Sequence, residues 1–392
     1  MNRSFRFQSP YIKMFLFGIF ISGSCCNAYA QENAAETFSG ESALTVQEID
    51  SVKGKTAMAD STWNIGWFPV IFYSNETRLA GGGGVQLVKK GYTERHASSI
   101  GIIAYYTQNK QYSIGANTVI FFERGAYKAG GEIAYYYFPE KFYGIGNNTS
   151  KNDEEKYITR SVRFRPIFQK MFFSSNLFIG FNYDYAHFDV LEKEPGKILD
   201  RGSITGSEGG LASGIGIYIT WDARDNNLYP TSGSYHQLIT GFYGPSLGSD
   251  FNFNIYLADL RHYLPLFDDH VLAFRGVAGI NSGDPPFQMI YFTGSLGAFL
   301  RGYTQSRFMD KSVVTFEAEY RLPLVWRFGL VGFAGIGQVA PKISQMSLNQ
   351  LKPSAGFGIR FALIPEQNVN VRIDMGVGKD DASFNINLME AF

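Results

Sequence analysis

Apolar residues along this chain alternate with polar or small ones, segment after segment. Ile215, Ile217, Ile219 and Trp221 share one side of an extended run, and Gly214, Gly216, Tyr218, Thr220 and Asp222 share the other. Leu177, Ile179, Phe181 and Tyr183 alternate with Asn176, Gly180, Asn182 and Asp184, interrupted only by Phe178. Val369, Val371, Ile373 and Met375 alternate with Asn370, Arg372 and Asp374. Phe251, Phe253, Ile255 and Leu257 against Asn252, Asn254 and Ala258 read as one more row of the same kind. A period of two, bulky apolar on one side and polar or glycine on the other, is the pattern of a transmembrane β-barrel. Lipid offers the backbone no hydrogen-bond partner, so a spanning sheet has to close on itself. A soluble sandwich or lipocalin-like barrel also alternates. Its strands average about five or six residues, whereas these runs often reach ten, and their polar face carries Asn, Arg and Asp.

About sixteen such segments fit between Trp67 and the end of the chain, which predicts an all-β, antiparallel transmembrane barrel over residues 62–392. Turns alternate in length. Pro265–Asp269 and Leu322–Trp326 are tight, while 189–208 and 282–310 are long. Short turns on the periplasmic side and long loops outside are the usual polarity. The final run puts Phe384, Ile386, Leu388 and Phe392 on one face. A terminal aromatic there resembles the signal by which the outer-membrane assembly machinery receives its clients. Glu390 departs from that pattern, where an aromatic is usual.

Residues 1–30 have the form of a secretory signal peptide: Arg3, Arg6 and Lys13, an apolar Met14–Ile21, and Ala28-Tyr29-Ala30 as a cleavage site. Cys25 and Cys26 precede that site and are the only cysteines, and Ser22-Gly23-Ser24 is a poor lipobox. Residues 31–61 read as a periplasmic linker or short helix, too brief for an ordinary folded domain. The chain holds 35 basic and 35 acidic residues, so no basic excess points to nucleic acid.

Catalytic strings are isolated. Gly244-Pro-Ser-Leu-Gly248 matches a nucleophile elbow in letters, but lies between two barrel strands rather than in a strand-turn-helix. His96, His187, His236, His262 and His270 are dispersed, without a metal-ligand spacing. Gly81–Gly84 lacks the lysine of a phosphate loop. The reading is a non-enzyme with no cofactor and no metal.

The long loop 282–310 closes on Leu300-Arg301-Gly302-Tyr303, and the strand after it carries Glu317, Glu319 and Arg321 on one face. An arginine tip followed by paired carboxylates suggests a loop that folds back into the barrel and is anchored there by charge. Four pieces resemble the BamA/TamA-type superfamily, also called bacterial surface antigens. They are Leu300–Tyr303, Phe316–Leu324, Asp222-Ala-Arg-Asp225 with Tyr229–Gly233, and Phe142–Asn147. The resemblance implies a barrel embedded in outer-membrane lipid that helps protein or lipid enter or cross the membrane. It would act on a client protein or with a separate periplasmic partner, its loop serving as a latch. A passive channel or structural barrel is the alternative, and a barrel-embedded lipid hydrolase a distant third. Two departures stand out. The thirty or so residues before the barrel cannot hold a POTRA domain, and Gly335 stands where the family often has an aspartate. The partnership with Arg301 then falls to Glu317, Glu319 or Asp374, which have inward parity.

Overall fold

The computed structural model describes residues 63–74, 77–89, 98–173, 176–226, 229–294, 300–364, 369–388 and 390–392. The expected signal peptide, the segment 31–61 and His96 lie outside the described residues.

Sixteen strands close into one antiparallel barrel in chain order. They are β1 (Trp63–Ser74), β2 (Arg78–Lys89), β3 (Ser98–Thr107), β4 (Tyr112–Phe122), β5 (Tyr127–Phe142), β6 (Glu155–Phe172), β7 (Leu177–Lys193), β8 (Gly210–Asp222), β9 (Gly233–Tyr243), β10 (Phe253–Pro265), β11 (Val271–Gly283), β14 (Ser312–Pro323), β15 (Phe328–Ala340), β16 (Lys352–Ile364), β17 (Val369–Gly378) and β18 (Asp381–Leu388). Two short strands, β12 (Tyr291–Thr293) and β13 (Phe308–Asp310), pair with each other inside the loop after β11. Among the described residues no helix is long and apolar enough to cross a membrane.

Alternation decides which side chain meets lipid. Ile65, Trp67, Ile71, Ile133, Phe164, Phe181, Ile215, Ile217, Phe316 and Phe357 are exposed on the outer wall. Their neighbours Arg163, Asp184, Thr220, Glu317 and Glu319 are buried inside. The long loops 143–154, 194–209 and 284–311 all leave the same end of the barrel, and the tight turns 173–176, 266–270 and 324–327 leave the other.

Two expectations are corrected. Phe253, Ile255 and Leu257 do not face lipid; they are almost wholly buried in the lumen, and Tyr256, Leu260 and Leu264 form the outer row of β10. The loop after β11 packs against this sector and makes its inner face dry, so large apolar residues stand on both sides of the strand. Phe392 does not continue the outer row of Phe384. β18 ends at Leu388, and Phe392 packs against Tyr263 and Ala273 inside the barrel.

The closure is uneven. β1 pairs with β2 along its whole length, from Trp63–Lys89 to Ser74–Arg78. With β18 it shares, among the described residues, one residue pair, Tyr73 opposite Ile386. The remaining seams are ladders of seven or more residue pairs, for instance β10 with β11 from Phe253–Gly283 to Pro265–Val271.

The inner and outer aromatics should respond differently to truncation. Phe253 stacks on Tyr243 with centroids 4.4 Å apart, so Phe253→Ala is expected to cost about 3–5 kcal/mol, the usual range for a buried phenylalanine. Phe181→Ala on the outer wall should cost much less, because acyl chains refill the gap. The temperature at which the folded gel band converts to the unfolded one checks this; equal shifts would refute the assignment of the β10 face.

Candidate functional site: a loop tip bound inside the barrel

Pro285 and Pro286 stop β11 from continuing, since neither has an N–H for the ladder. The chain then turns inward. Phe287 N donates to Thr205 O at 2.9 Å and the Gln288 amide to Gly206 O at 2.9 Å, which ties this loop to 194–209. The Phe287 ring meets Phe142 and Tyr157, each at 5.4 Å. Met289, Tyr291, Leu300, Tyr303 and Phe308 enter one apolar cluster with the wall residues Tyr218, Ile239, Tyr243, Phe253, Val313 and Val339. Burial of this apolar surface is the main force that draws the loop into the lumen.

The tip is fixed by polar contacts on top of that packing. Arg301 Nε lies 2.8 Å from Glu317 Oε1, and its Nη2 is 2.6 Å from both Glu317 Oε1 and Glu319 Oε2. Its Nη1 reaches Asp374 Oδ2 at 3.1 Å, and its backbone N–H donates to Glu317 Oε2 at 3.1 Å. The guanidinium also lies 3.7 Å over the Phe333 ring. All three carboxylates singled out by parity therefore meet the one arginine. A planar fork with five donors suits such a set; a lysine ammonium does not reproduce it.

Small wall residues make room for the tip. Gly302 has φ +105, the left-handed region that favours glycine, and its Cα lies where a Cβ on Gly376 would stand 2.9 Å away. A Cβ on Gly335 would come 2.7 Å from Leu300 Cδ1, so a larger side chain there would collide with this loop. Gly302 N donates to Ser383 Oγ at 3.0 Å, and Thr304 N to Asp381 Oδ2 at 2.7 Å. The Tyr303 hydroxyl donates to Pro353 O at 2.6 Å and accepts from Lys379 N at 2.9 Å. The tip is thus held by β14, β16, β17 and β18, all on one side of the β1–β18 seam.

The other motifs converge on the same place. Arg321, from the strand after the loop, donates to Glu319 at 2.7 Å and to Pro230 O at 2.8 Å. Pro230 belongs to the turn whose Asp222 and Arg224 form a two-point pair at 2.9 and 2.6 Å. Asp225 in that turn is partly buried, yet the donors Thr231, Ser232 and Asn226 hold its carboxyl below the ordinary range. Gly146 N donates to Met309 O at 2.8 Å, and Asn147 donates to Gln350 O at 2.8 Å. The Phe316–Leu324 and Phe142–Asn147 pieces touch the loop directly, and the Asp222–Gly233 turn is linked to it through Arg321 and Glu319.

Sequence reasoning missed two members of the charge cluster. Arg360 Nη1 is 2.6 Å from Asp374 and its Nε 2.6 Å from Glu390. Its inward parity with Ser354 on β16 was the available signal. Glu390 was noted only as a departure; its Oε1 also accepts from Asn370 at 3.1 Å. Phe392 O accepts from Arg321 Nη2 at 2.9 Å. Of the expected assembly signal, Phe384 is half-exposed and Ile386 sits at the seam, while Leu388 is the last residue of β18. Gly244–Gly248 is a short turn between β9 and β10. Among the described residues no three His, Cys, Asp or Glu side chains are grouped to hold a metal ion.

The BamA of Haemophilus ducreyi lacking POTRA domains 1–3 is similar in structure, with a TM-score of 0.58 at 13% identity over 84% of this chain and 70% of that one. CdiB from Acinetobacter baumannii gives 0.54 at 10% identity over 83% and 65%, and CdiB from Escherichia coli 0.55 at 8% over 85% and 63%. The chain spans less than two thirds of each CdiB. At such identities the likeness is one of fold. No curated protein matches the chain. The Omp85 superfamily domain matches residues 82–365. That match covers well over half of the sequence and falls on the closed sixteen-strand barrel, so the chain belongs to the Omp85 superfamily and is an outer-membrane β-barrel.

Proposed function

We propose that this barrel is a non-enzymatic assembly or translocation factor that helps a polypeptide or lipid enter or cross the outer membrane at the β1–β18 seam. The observation that carries this reading is the seam itself: among the described residues one residue pair, Tyr73 with Ile386, is the ladder between β1 and β18, beside a loop tip tied to β18 and its neighbours. An exposed strand edge presents unpaired N–H and C=O groups, and an incoming strand supplies partners for them. In lipid each unsatisfied backbone group costs several kcal/mol, so such an edge is a strong template. The loop, bound through Arg301, acts as a latch that keeps β14 to β18 in register while β1 is free to part. Signal-peptide cleavage before Gln31, and a client or partner on the periplasmic side, belong to the same reading.

A passive channel is less well supported. The loop brings Met289, Tyr291, Leu300, Tyr303 and Phe308 into an apolar cluster inside the lumen, where a channel would keep a wet path. Planar-bilayer recordings of the wild-type barrel should therefore show no steady open conductance.

The latch makes a sharp demand on Arg301. Taking away one partner of a buried ion pair typically costs about 3–5 kcal/mol, against about 0–1 for an exposed one. Arg301→Ala should raise protease cleavage within 284–311 and lower the melting temperature, and Arg301→Lys should be almost as damaging. If both variants match wild type, the loop is held by its apolar residues alone. A second prediction concerns the seam. Tyr73→Cys with Ile386→Cys should form a disulfide that locks β1 to β18. Cells carrying the oxidised barrel should lose the same outer-membrane proteins or lipids as cells lacking the gene, and reductant should restore them. Full complementation by the locked barrel would overturn the proposed route.

A further inference from the structure

Two of the ladders in the wall skip a step, on either side of the β7–β8 pair. β6 and β7 run from Phe164 opposite Tyr185 to Ile167 opposite Asn182, and the step between holds Pro166, which has no N–H for a ladder. β8 and β9 run from Ile215 opposite Phe242 to Tyr218 opposite Ile239, and in the step between Ile217 N donates to Thr240 Oγ1 at 3.1 Å. Asn182 stands opposite Gly216, so the two steps lie at one height. Glycine permits the distortion. Thr240 O fills the place that a Cβ on Gly216 would take, and Phe168 O fills that of a Cβ on Gly180. Both glycines hold lumen-facing positions, so the neighbouring strands press inward there and the outer face is left concave.

The hollow is a groove of about 500 Å³ across β6 to β9, within the usual range of ligand sites, and its lining is almost wholly apolar. Pro166, Phe168, Phe181, Ile215, Ile217 and Phe242 stand along it. Phe168 and Phe181 lie about 10 Å up from the periplasmic ends of their strands, Phe172 and Leu177, which is inside the lower half of an apolar band about 25 Å tall. From there the groove climbs toward Ile215 and Phe242, as an acyl chain climbs from its headgroup toward the bilayer centre. A cation stands at the lower end. Lys170 follows Phe168 on the outward row of β6, about 7 Å nearer the periplasm. Its ammonium lies 5.6 Å from the Tyr127 ring and 5.5 Å from that of Phe172, and among the described residues it makes no ion pair. The Phe168 ring is 5.9 Å from Tyr127 and 5.7 Å from Phe181, so cation, aromatic belt and groove are continuous.

We propose that this wall holds one phospholipid of the periplasmic leaflet, with an acyl chain in the groove of β6 to β9 and its phosphate on Lys170. Place and charge decide the occupant. The groove opens on the lipid-facing wall, so hydrocarbon covers it, and a lysine at the membrane surface attracts an anionic headgroup. The height of Lys170 selects the periplasmic leaflet, and with it a phospholipid rather than the lipid A of the outer leaflet. The site uses neither the β1–β18 seam nor Arg301, so it stands apart from the proposed function.

Native mass spectrometry of the full-length barrel in detergent, titrated with palmitoyl-oleoyl phosphatidylglycerol, reads both the number of bound lipids and their strength. One lipid should bind saturably, ahead of a weaker graded series from the rest of the wall. Lys170→Gln should weaken that first step about fivefold, and Lys170→Arg should keep it. Ile215→Trp, which fills the groove and leaves Lys170 in place, should abolish it. Diacylglycerol of the same chains, which lacks the phosphate, should bind wild type and Lys170→Gln alike. Both substitutions lie on the lipid-facing wall, and the heat-modified gel shift checks that each barrel is folded. If either Lys170→Gln or Ile215→Trp leaves the first step unchanged, the bound lipid is an ordinary annulus and the proposal is overturned. Displacement of phosphatidylglycerol from the first step by lipid A would overturn it as well.

Discussion

Lipid cannot satisfy a peptide group, and most of this structure is an answer to that constraint. Sixteen strands close on themselves, and fifteen of the sixteen junctions are extended ladders. Closure at this size creates a lumen wider than its own side chains fill; barrels of comparable strand number leave an aqueous channel. Here the space around β8 to β11 and β14 to β15 is occupied by the loop 284–311, which brings its own apolar residues. Among the described residues the shortest of these ladders is β1 with β18.

Filling the lumen with a loop raises a second cost, because the inward face of the barrel carries charges. Arg301, Arg321 and Arg360 are almost fully buried, as are Glu317, Glu319 and Asp374. Isolated burial of any of them would be prohibitive. They are tolerated because the cluster is neutral as a whole and each guanidinium reaches more than one acceptor. Such a cluster contributes less to raw stability than an apolar replacement of equal volume often would, but it allows one arrangement of its partners and few others. The geometry thus selects a loop position, while the apolar contacts supply most of the driving force.

Period two made the barrel legible from the sequence, and parity made the cluster partly legible. Glu317, Glu319 and Asp374 could be chosen because lumen-facing positions are countable along a strand. Parity cannot say which face is dry. On β10 both faces carry large apolar side chains, since Phe253 and Ile255 meet the loop and Tyr256 and Leu260 meet lipid. The contacts that reverse the assignment lie some fifty residues away in sequence, at Tyr291 to Phe308. The end of β18 was hidden for a similar reason. Its alternation runs on in letters to Phe392, and only the position of Arg360 and Arg321 shows why the chain turns inward at Glu390.

Glycines on β15 leave the room in which the loop tip and its arginine are held. Leu300 lies over Gly335 and Gly337 and takes the volume that a side chain on β15 would need. The carboxylates stand on β14 and β17, which flank β15 and β16, so the tip is gripped from two directions. Ser383 and Asp381 extend that grip to β18. None of these polar anchors lies on β1. A force that separates the seam is therefore resisted by the loop on the β18 side alone, and in the proposed action β1 is the strand that moves.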